Sequence, residues 1–429
     1  MLNILKQGHP KGLYLLFCVE MWERFSFYGM RALIVLYMIE NLMYTSQKAG
    51  NIYGLYTGLV YLTPLLGGYL ADRFFGQRKC IAGGAIFMTL GLFLLAFGPK
   101  SLFLFSLFLM IIANGLFKSN ISSVLGLLYG GDHTKKDAAF TIFYMGINLG
   151  AFFSPLVCGT LAVKFGYEYG FAAAGVGMMI GLVFYKLLEK KLLGECGLYP
   201  VNPKEEGYVN INNEESCDSK KRFISLLVLM LFTIPFWVCF EQAGSSLTLF
   251  AEYQTNRNLC GFEIPTGYFQ SLNPLFIITF APLMSLLWGS LRGKSKEPSS
   301  VEKFSLALFL ITLSYIVLAY AGHLSLTSLV SPMWLVLGYF IMTIAELCLS
   351  PIGLSLVSKL APRKFLSLTM GCWFLTSFIG NTVAGVWGGN YDKYTPAQLF
   401  AGLAVLSFVT WIILLCFMPK LNSFLKKRS

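Results

Sequence analysis

The sequence predicts an all-α membrane protein that crosses the bilayer twelve times, in two groups of six helices, with both termini in the cytoplasm. Three observations carry that expectation. Apolar windows of about 20 residues, the length that spans a hydrocarbon core, recur along the whole 429-residue chain. The residues are 56% hydrophobic and only 13% charged, with a mean hydropathy of +0.64, whereas an ordinary soluble domain is about 25% charged. Lysines and arginines also sort to one side of the expected spans, and one polar stretch divides those spans in half.

The spans are expected at roughly 13–40, 50–71, 80–98, 101–129, 138–163, 169–188, 223–250, 268–291, 304–322, 332–358, 366–388 and 396–418. With a cytoplasmic N-terminus, only Lys48, Lys100, Lys164, Arg257 and Lys393 fall outside, and Arg24, Arg31 and Lys118 fall within spans. The rest of the 33 basic residues sit in the N-terminal segment, in clusters near 73–79, 135–136, 186–222, 292–303 and 359–364, and in 420–428. This is the positive-inside bias. It accounts for the net charge of +12 without nucleic acid as a partner. No cleavable leader is expected, because the first apolar run lacks an A-x-A-like site and continues into charged residues. The ten cysteines are scattered without C-x-x-C spacing. They are expected to be reduced packing residues, with no disulfide framework and no metal.

Residues 189–222 are polar and charged, and contain Pro200, Pro203 and the pair Asn212-Asn213. They divide the chain into an N-terminal six-helix bundle at 1–188, a cytoplasmic linker at 189–222 and a C-terminal six-helix bundle at 223–429. Bundles related by a pseudo-two-fold axis along the membrane normal hold their substrate between them near the midplane.

The first span is unusual. Glu20-Met21-Trp22-Glu23-Arg24-Phe25-Ser26-Phe27-Tyr28-Gly29-Met30-Arg31 puts two acids and two arginines between apolar runs. A charge at the bilayer centre costs roughly 2.5–3.5 kcal/mol even on the mild insertion scale. At about 100° per residue, Glu20, Glu23, Arg24, Phe27, Tyr28 and Arg31 share one face about 140° wide. Such a face suits a binding cavity or a proton relay and cannot face lipid. Glu20 and Arg24 form a favourable i,i+4 pair. Two carboxylates beside one arginine cannot both be comfortably ionised in low dielectric, so one is poised to take a proton.

Other spans carry isolated polar groups. Lys118, in Asn114-Gly115-Leu116-Phe117-Lys118-Ser119-Asn120, lies about 15 Å by helix rise from either end of its span, too far to snorkel easily. Glu241 and Glu346 are lone acids in apolar helices. The first half thus offers cations and the second offers acids, which would suit a zwitterion with its charges held apart. Tyr61, Tyr144, Asn148, Gln270, Asn273, Trp373, Ser377 and Asn381 add polar groups on spans. Helix–helix hydrogen bonding in lipid would explain each of these singly just as well. There is no phosphate loop, H-E-x-x-H or G-x-S-x-G, and the three histidines lie at loops or span ends, so neither ATP use nor hydrolysis is expected.

Two resemblances follow. Gly67-Gly68-Tyr69-Leu70-Ala71-Asp72-Arg73-Phe74-Phe75-Gly76-Gln77-Arg78 resembles the G-x-L-a-D-x-x-G-x-[RK] loop of the major facilitator superfamily, a structural gating element. Asp72 is expected to pair with a nearby arginine or to cap the next helix end. Beyond this, the E-x-x-E-R-F-x-x-Y-G motif at Glu20–Gly29 closely resembles the proton-dependent oligopeptide transporter family. Phe140–Phe152, Lys118–Ile121, Phe240–Gly244, Phe269–Pro274 and Glu346–Pro351 match further family blocks in both halves.

The resemblance implies a major facilitator fold and proton-coupled symport of di- and tripeptides. By resemblance, Arg24, Arg31, Lys118 and Tyr28 would hold the peptide carboxylate. Glu346, Asn148 and Asn273 would hold the amine and backbone. Glu20, Glu23, Arg24 and Glu241 would couple the proton, and Tyr61, Phe27, Tyr144, Trp237, Gln270, Trp373 and Ser377 would line the pocket. No cofactor is implied beyond the proton. The partners would be small peptides, protons and the lipid bilayer, and the chain would act as a monomer in a cell membrane, the inner membrane in a bacterium.

Two departures stand out. Phe27 replaces the first of two tyrosines that many members carry, and the linker is too short for the two extra helices common in bacterial members. A carrier of another anionic or zwitterionic solute, such as nitrate or an amino-acid conjugate, is the alternative within transport. A transport-dead membrane sensor is the alternative of another class.

Overall fold

Nearly all of the described chain is helical. The structure, a computed structural model, describes residues 8–129, 133–200, 217–259, 261–294, 296–360 and 366–425. Of the expected linker 189–222, residues 201–216 lie outside the described residues, as do both chain ends. The packing divides the chain into two units, Met1–Tyr37 with Leu59–Val209, and Met38–Gly58 with Asn210–Ser429. The sequence reading assigns all of 1–188 to the first bundle, whereas residues 38–58 pack with the second unit.

The first unit contains most of α1 (Lys11–Glu40), the second part of α2 (Ser46–Leu70), α3 (Gln77–Phe97), α4 (Phe103–Leu128), α5 (His133–Phe165) and α6 (Tyr167–Leu193). Helix α3 packs against α4 and α6, and α5 against α6. Helix α5 approaches α1 at Gly150, where a Cβ would lie 2.2 Å from the Met21 carbonyl oxygen and 3.0 Å from Arg24 Cβ. That missing side chain lets a second backbone close over the charged stretch of α1.

Between α2 and α3 the chain makes a wide helical turn, Ala71–Phe75, and reverses at Gly76, whose φ of +79° favours glycine. Asp72 Oδ1 accepts a hydrogen bond from Gln77 Nε2 at 2.7 Å. It therefore braces the turn through an amide and not through the expected arginine or a helix-end N–H. Arg78 instead bonds Glu189 at 3.3 Å and donates to the Gly194 carbonyl at 2.6 Å, which ties α3 to the end of α6.

The second unit contains the first part of α2, α7 (Cys217–Phe240), α8 (Ser246–Tyr253), α9 (Leu272–Gly293), α10 (Ser300–Leu324), α11 (Met333–Leu360), α12 (Leu366–Gly388) and α13 (Pro396–Leu425). Helix α10 packs on α11 and α13, α7 on α12 and α13, and α9 on α11. The α2 segment belongs here because glycines meet. A Cβ on Gly385 of α12 would lie 2.3 Å from the Gly50 carbonyl oxygen and 2.4 Å from Gly54 Cα. Asp392 completes the seam by accepting from Ser46 Oγ at 2.9 Å and Ser46 N at 3.3 Å.

The span expected at 223–250 is not one continuous helix. Helix α7 contains Pro235, ends at Phe240, and passes through a tight turn, Glu241–Gly244, into α8. Gln242 stabilises the break. Its amide nitrogen donates to the Val238 and Ala384 carbonyls, both at 3.1 Å, and its oxygen accepts from Ser245 and Ser246. A two-residue hairpin, β1 (Asn258–Leu259) with β2 (Phe262–Glu263), follows α8. Arg257 holds it through Glu252 at 2.6 Å and Glu263 at 3.3 Å.

Among the described residues, nine helical segments are long and apolar enough to cross a membrane. Helix α1 is not one of them because it carries Glu20, Glu23, Arg24 and Arg31. Helices α2 and α12 also fall short; glycine, threonine, serine and amide side chains dilute them.

Candidate functional site

The polar groups fall into two constellations, one in each unit. In the first, α1 turns Glu20, Glu23 and Arg24 into the unit's interior, and all three are buried, Glu23 completely. Arg24 Nε lies 2.8 Å from Glu20 Oε1 and 2.7 Å from Glu23 Oε2. Only the Glu20 contact has hydrogen-bond geometry. Among the described residues, Glu20 Oε2, both Glu23 oxygens and Arg24 Nη2 find no hydrogen-bond partner. Two acids share one guanidinium at close range. A buried carboxylate without hydrogen bonds is costly, so this cluster is short of donors.

The two other cations expected within spans of this half, Lys118 and Arg31, belong to the same unit. Lys118 of α4 is within electrostatic reach of Glu23, and its Nζ sits 4.3 Å from the centre of the Tyr61 ring. Arg31 is buried, its guanidinium 5.7 Å from the Tyr28 ring centre. Phe27 is buried as well, edge-to-face with Tyr28 and 5.9 Å from the Arg24 guanidinium carbon. Of the face that carries these charges, Glu20, Glu23, Arg24, Phe27 and Arg31 are buried and Tyr28 is half-buried. On α5, Asn148 donates to the Tyr144 carbonyl at 2.9 Å, and Tyr144 is exposed.

In the second unit, Asn273 in the first turn of α9 reaches α11. Its Nδ2 donates to Glu346 Oε2 at 2.8 Å and to Thr343 Oγ1 at 3.1 Å. The sequence groups Asn148 with Asn273 and Glu346. Asn273 and Glu346 are hydrogen-bonded within the second unit, and Asn148 belongs to the first unit.

Glu241 is buried and opens the turn that breaks α7. Gln270 donates to Thr248 Oγ1 at 3.1 Å. Thr248 and Tyr339 both donate to the Ala243 carbonyl, at 2.9 and 3.3 Å. Hydrogen bonds thus link the Glu241 turn to α8, α11 and the residues before α9.

Trp373 and Ser377 are buried on α12. Trp373 packs so closely on Gly353 that a Cβ there would lie 1.9 Å from the indole. Asn381 donates to the Ser377 carbonyl at 2.9 Å. Trp237 stands edge-to-face with Phe236 and Phe240, and its indole N–H has no partner among the described residues.

Thr343, Tyr339 and Thr248 were not singled out by sequence, since a threonine or tyrosine in an apolar helix carries no distinguishing signal. No cluster of three or more histidine, cysteine or acidic side chains able to hold a metal occurs among the described residues.

The sequence model of the POT family matches residues 78–190 and 201–400. The chain is 37% identical to the uncharacterized transporter YclF of Bacillus subtilis, over 98% of this chain and 96% of that protein. It is 35% identical to the peptide transporter YePEPT of Yersinia enterocolitica, over 89% and 88% respectively. A crystal structure of the peptide transporter POT in complex with sulfate superposes with a TM-score of 0.90 at 35% identity, covering 98% of this chain and 97% of the other.

Proposed function

The chain belongs to the POT family, the proton-dependent oligopeptide transporters, and from that premise we propose that it takes up di- and tripeptides by proton-coupled symport with alternating access. It is a multi-pass membrane transporter and not an enzyme. In the finer reading, α1, α2 and α12 also span, which makes twelve crossings in two six-helix bundles, 1–188 and 223–429, with cytoplasmic termini. The chain would work as a monomer, in the inner membrane of a bacterium, with the proton as coupling ion and no cofactor.

The observation that carries the coupling is the Glu20–Glu23–Arg24 cluster. Two buried acids have one guanidinium between them, and three of their four carboxylate oxygens are without hydrogen bonds among the described residues. A proton on one acid would supply the missing donor. Glu241 would be a further proton carrier. Arg24, Arg31, Lys118 and Tyr28 would read the peptide carboxylate, and Glu346 with Asn273 the amine, with Asn148 contributing from the first unit. Tyr61, Phe27, Tyr144, Trp237, Gln270, Trp373 and Ser377 would line the path. The Asn273–Glu346 pair favours a substrate with an amine over nitrate, which has none for Glu346 to accept from.

The deciding experiment is uptake of a labelled dipeptide into proteoliposomes, with and without an inward proton gradient. Accumulation above the outside concentration is expected only with the gradient. Gradient-independent accumulation, or none of any dipeptide, would overturn the proposal.

A further inference from the structure

Asn273 is held by a chain of hydrogen bonds that fixes which end of its amide is which. Thr343 is fully buried on α11, and its hydroxyl donates to the Tyr339 carbonyl one turn back at 2.7 Å. A hydroxyl has a single proton. With that proton committed, Thr343 Oγ1 faces Asn273 only as an acceptor, at 3.1 Å. The second hydrogen of Asn273 Nδ2 goes to Glu346 Oε2 at 2.8 Å. Turning the amide over would set Oδ1 against a carboxylate and a spent hydroxyl, acceptor against two acceptors. The amide is therefore locked, and its Oδ1 makes no hydrogen bond among the described residues. Tyr339 is itself anchored, its phenol donating to the Ala243 carbonyl at 3.3 Å.

We propose that Thr343 is a positioning residue that makes the amine end of the site selective for substrates with at least two N–H donors on a charged nitrogen. By locking Asn273, it leaves Oδ1 as a second acceptor beside the Glu346 carboxylate. A primary ammonium satisfies both acceptors. A nitrogen with one hydrogen satisfies one of them, and an acylated nitrogen adds a carbonyl oxygen that both acceptors repel. The proposal rests on Asn273 and Glu346 being the amine site.

The test is competition binding against a labelled dipeptide, using one dipeptide with a free, an N-methyl and an N,N-dimethyl terminus. All three keep the positive charge and offer three, two and one N–H in turn. In the wild type, affinity should fall about 3- to 10-fold between the monomethyl and dimethyl ligands, the worth of one hydrogen bond. Thr343→Val keeps the side-chain shape and removes the acceptor, and should shrink that step to less than about twofold. Thr343→Ser keeps the hydroxyl and should restore it. Thr343→Ala is the second variant should valine disturb folding, and it should behave like valine. The same step in wild type, Thr343→Val and Thr343→Ala would overturn the relay. Glu346→Gln separates the two layers. If it weakens all three charged ligands while Thr343→Val leaves the step intact, the amine site stands and the relay falls. If Glu346→Gln leaves every affinity unchanged, the amine-site reading fails and the relay fails with it.

Discussion

Neutralising either acid of the α1 cluster should leave a folded carrier that no longer accumulates peptide. The two acids are not equivalent in the structure. Glu20 holds Arg24 through a hydrogen bond of 2.8 Å, whereas Glu23 touches the same nitrogen at 2.7 Å without hydrogen-bond geometry. Glu23→Gln removes the acid that the guanidinium satisfies least, and should leave stability unchanged or raise it. Glu20→Gln exchanges a charge-assisted hydrogen bond for a neutral one, a loss of about 1 kcal/mol. Arg24→Ala leaves both acids buried without their partner, and should cost about 3–5 kcal/mol.

In the two glutamine variants the remaining acid balances Arg24, so no vacant site is left for a coupling proton. A gradient of one pH unit is worth about 1.4 kcal/mol per proton, or about tenfold accumulation for one proton per peptide. Wild-type proteoliposomes should approach such a ratio. Both glutamine variants should stop at a ratio of about one, yet still exchange internal for external peptide in counterflow. Thermal unfolding in detergent checks the stability order. Undiminished accumulation by both variants under a gradient would refute the assignment of the proton to this cluster.

Three further outcomes are expected. Lys118→Ala and Arg31→Ala should weaken free dipeptides about 10- to 100-fold, by the loss of a charge-assisted hydrogen bond, and barely affect C-terminally amidated ones; equal losses in competition binding would show that these cations do not read the carboxylate. Gly385→Ala should lower stability by about 1–3 kcal/mol through overpacking of the α2–α12 seam, whereas Gly68→Ala, whose Cβ would meet Ser119 Oγ at 3.6 Å and Cβ at 3.9 Å, both ordinary contacts, should be harmless in the same thermal assay. In the loop between α9 and α10, hydrogen bonds from Arg292 and Lys303 hold the Glu297 carboxyl down at about 2; its stabilising contribution is therefore complete above the usual carboxylate pKa of about 4.3 and lost as pH falls towards 2, and the stability gap between wild type and Glu297→Gln should close over that window.

The sequence reveals some of this site and hides the rest, for physical reasons. The α1 face was legible because charges within a span have few tolerable environments, and the structure buries Glu20, Glu23, Arg24 and Arg31 as that argument requires. Lys118 was legible for the same reason. The Thr343–Tyr339 bond was not, since a threonine hydroxyl returning to the i−4 carbonyl is common in any helix. What gives Thr343 a role is Asn273, on another helix. The docking of the first part of α2 in the second unit was hidden too. Gly50, Gly54 and Gly58 read as generic small residues until Gly385 is seen to face Gly50 and Gly54. The break in α7 follows from the side chain of Gln242 replacing backbone hydrogen bonds, which no hydropathy pattern encodes.

The contrast between Gln242 and Arg24 shows where the fold stores its chemistry. Both are buried polar groups at the heart of a unit. Gln242 uses both amide hydrogens and accepts twice on its oxygen, from Ser245 and Ser246. A network satisfied to that degree specifies a conformation and has nothing left to offer a ligand. The Arg24 cluster has a guanidinium nitrogen and three carboxylate oxygens without a hydrogen bond among the described residues. Each buried polar atom left unpaired costs about 1–3 kcal/mol, and most native interiors avoid that cost. A chain that satisfies Gln242 so fully in one unit has the means to satisfy Arg24 in the other, so the deficit is the place where the proposed coupling proton would bind. A proton is small enough to reach a completely buried carboxylate without opening the helices, and it would supply the donor that the cluster lacks.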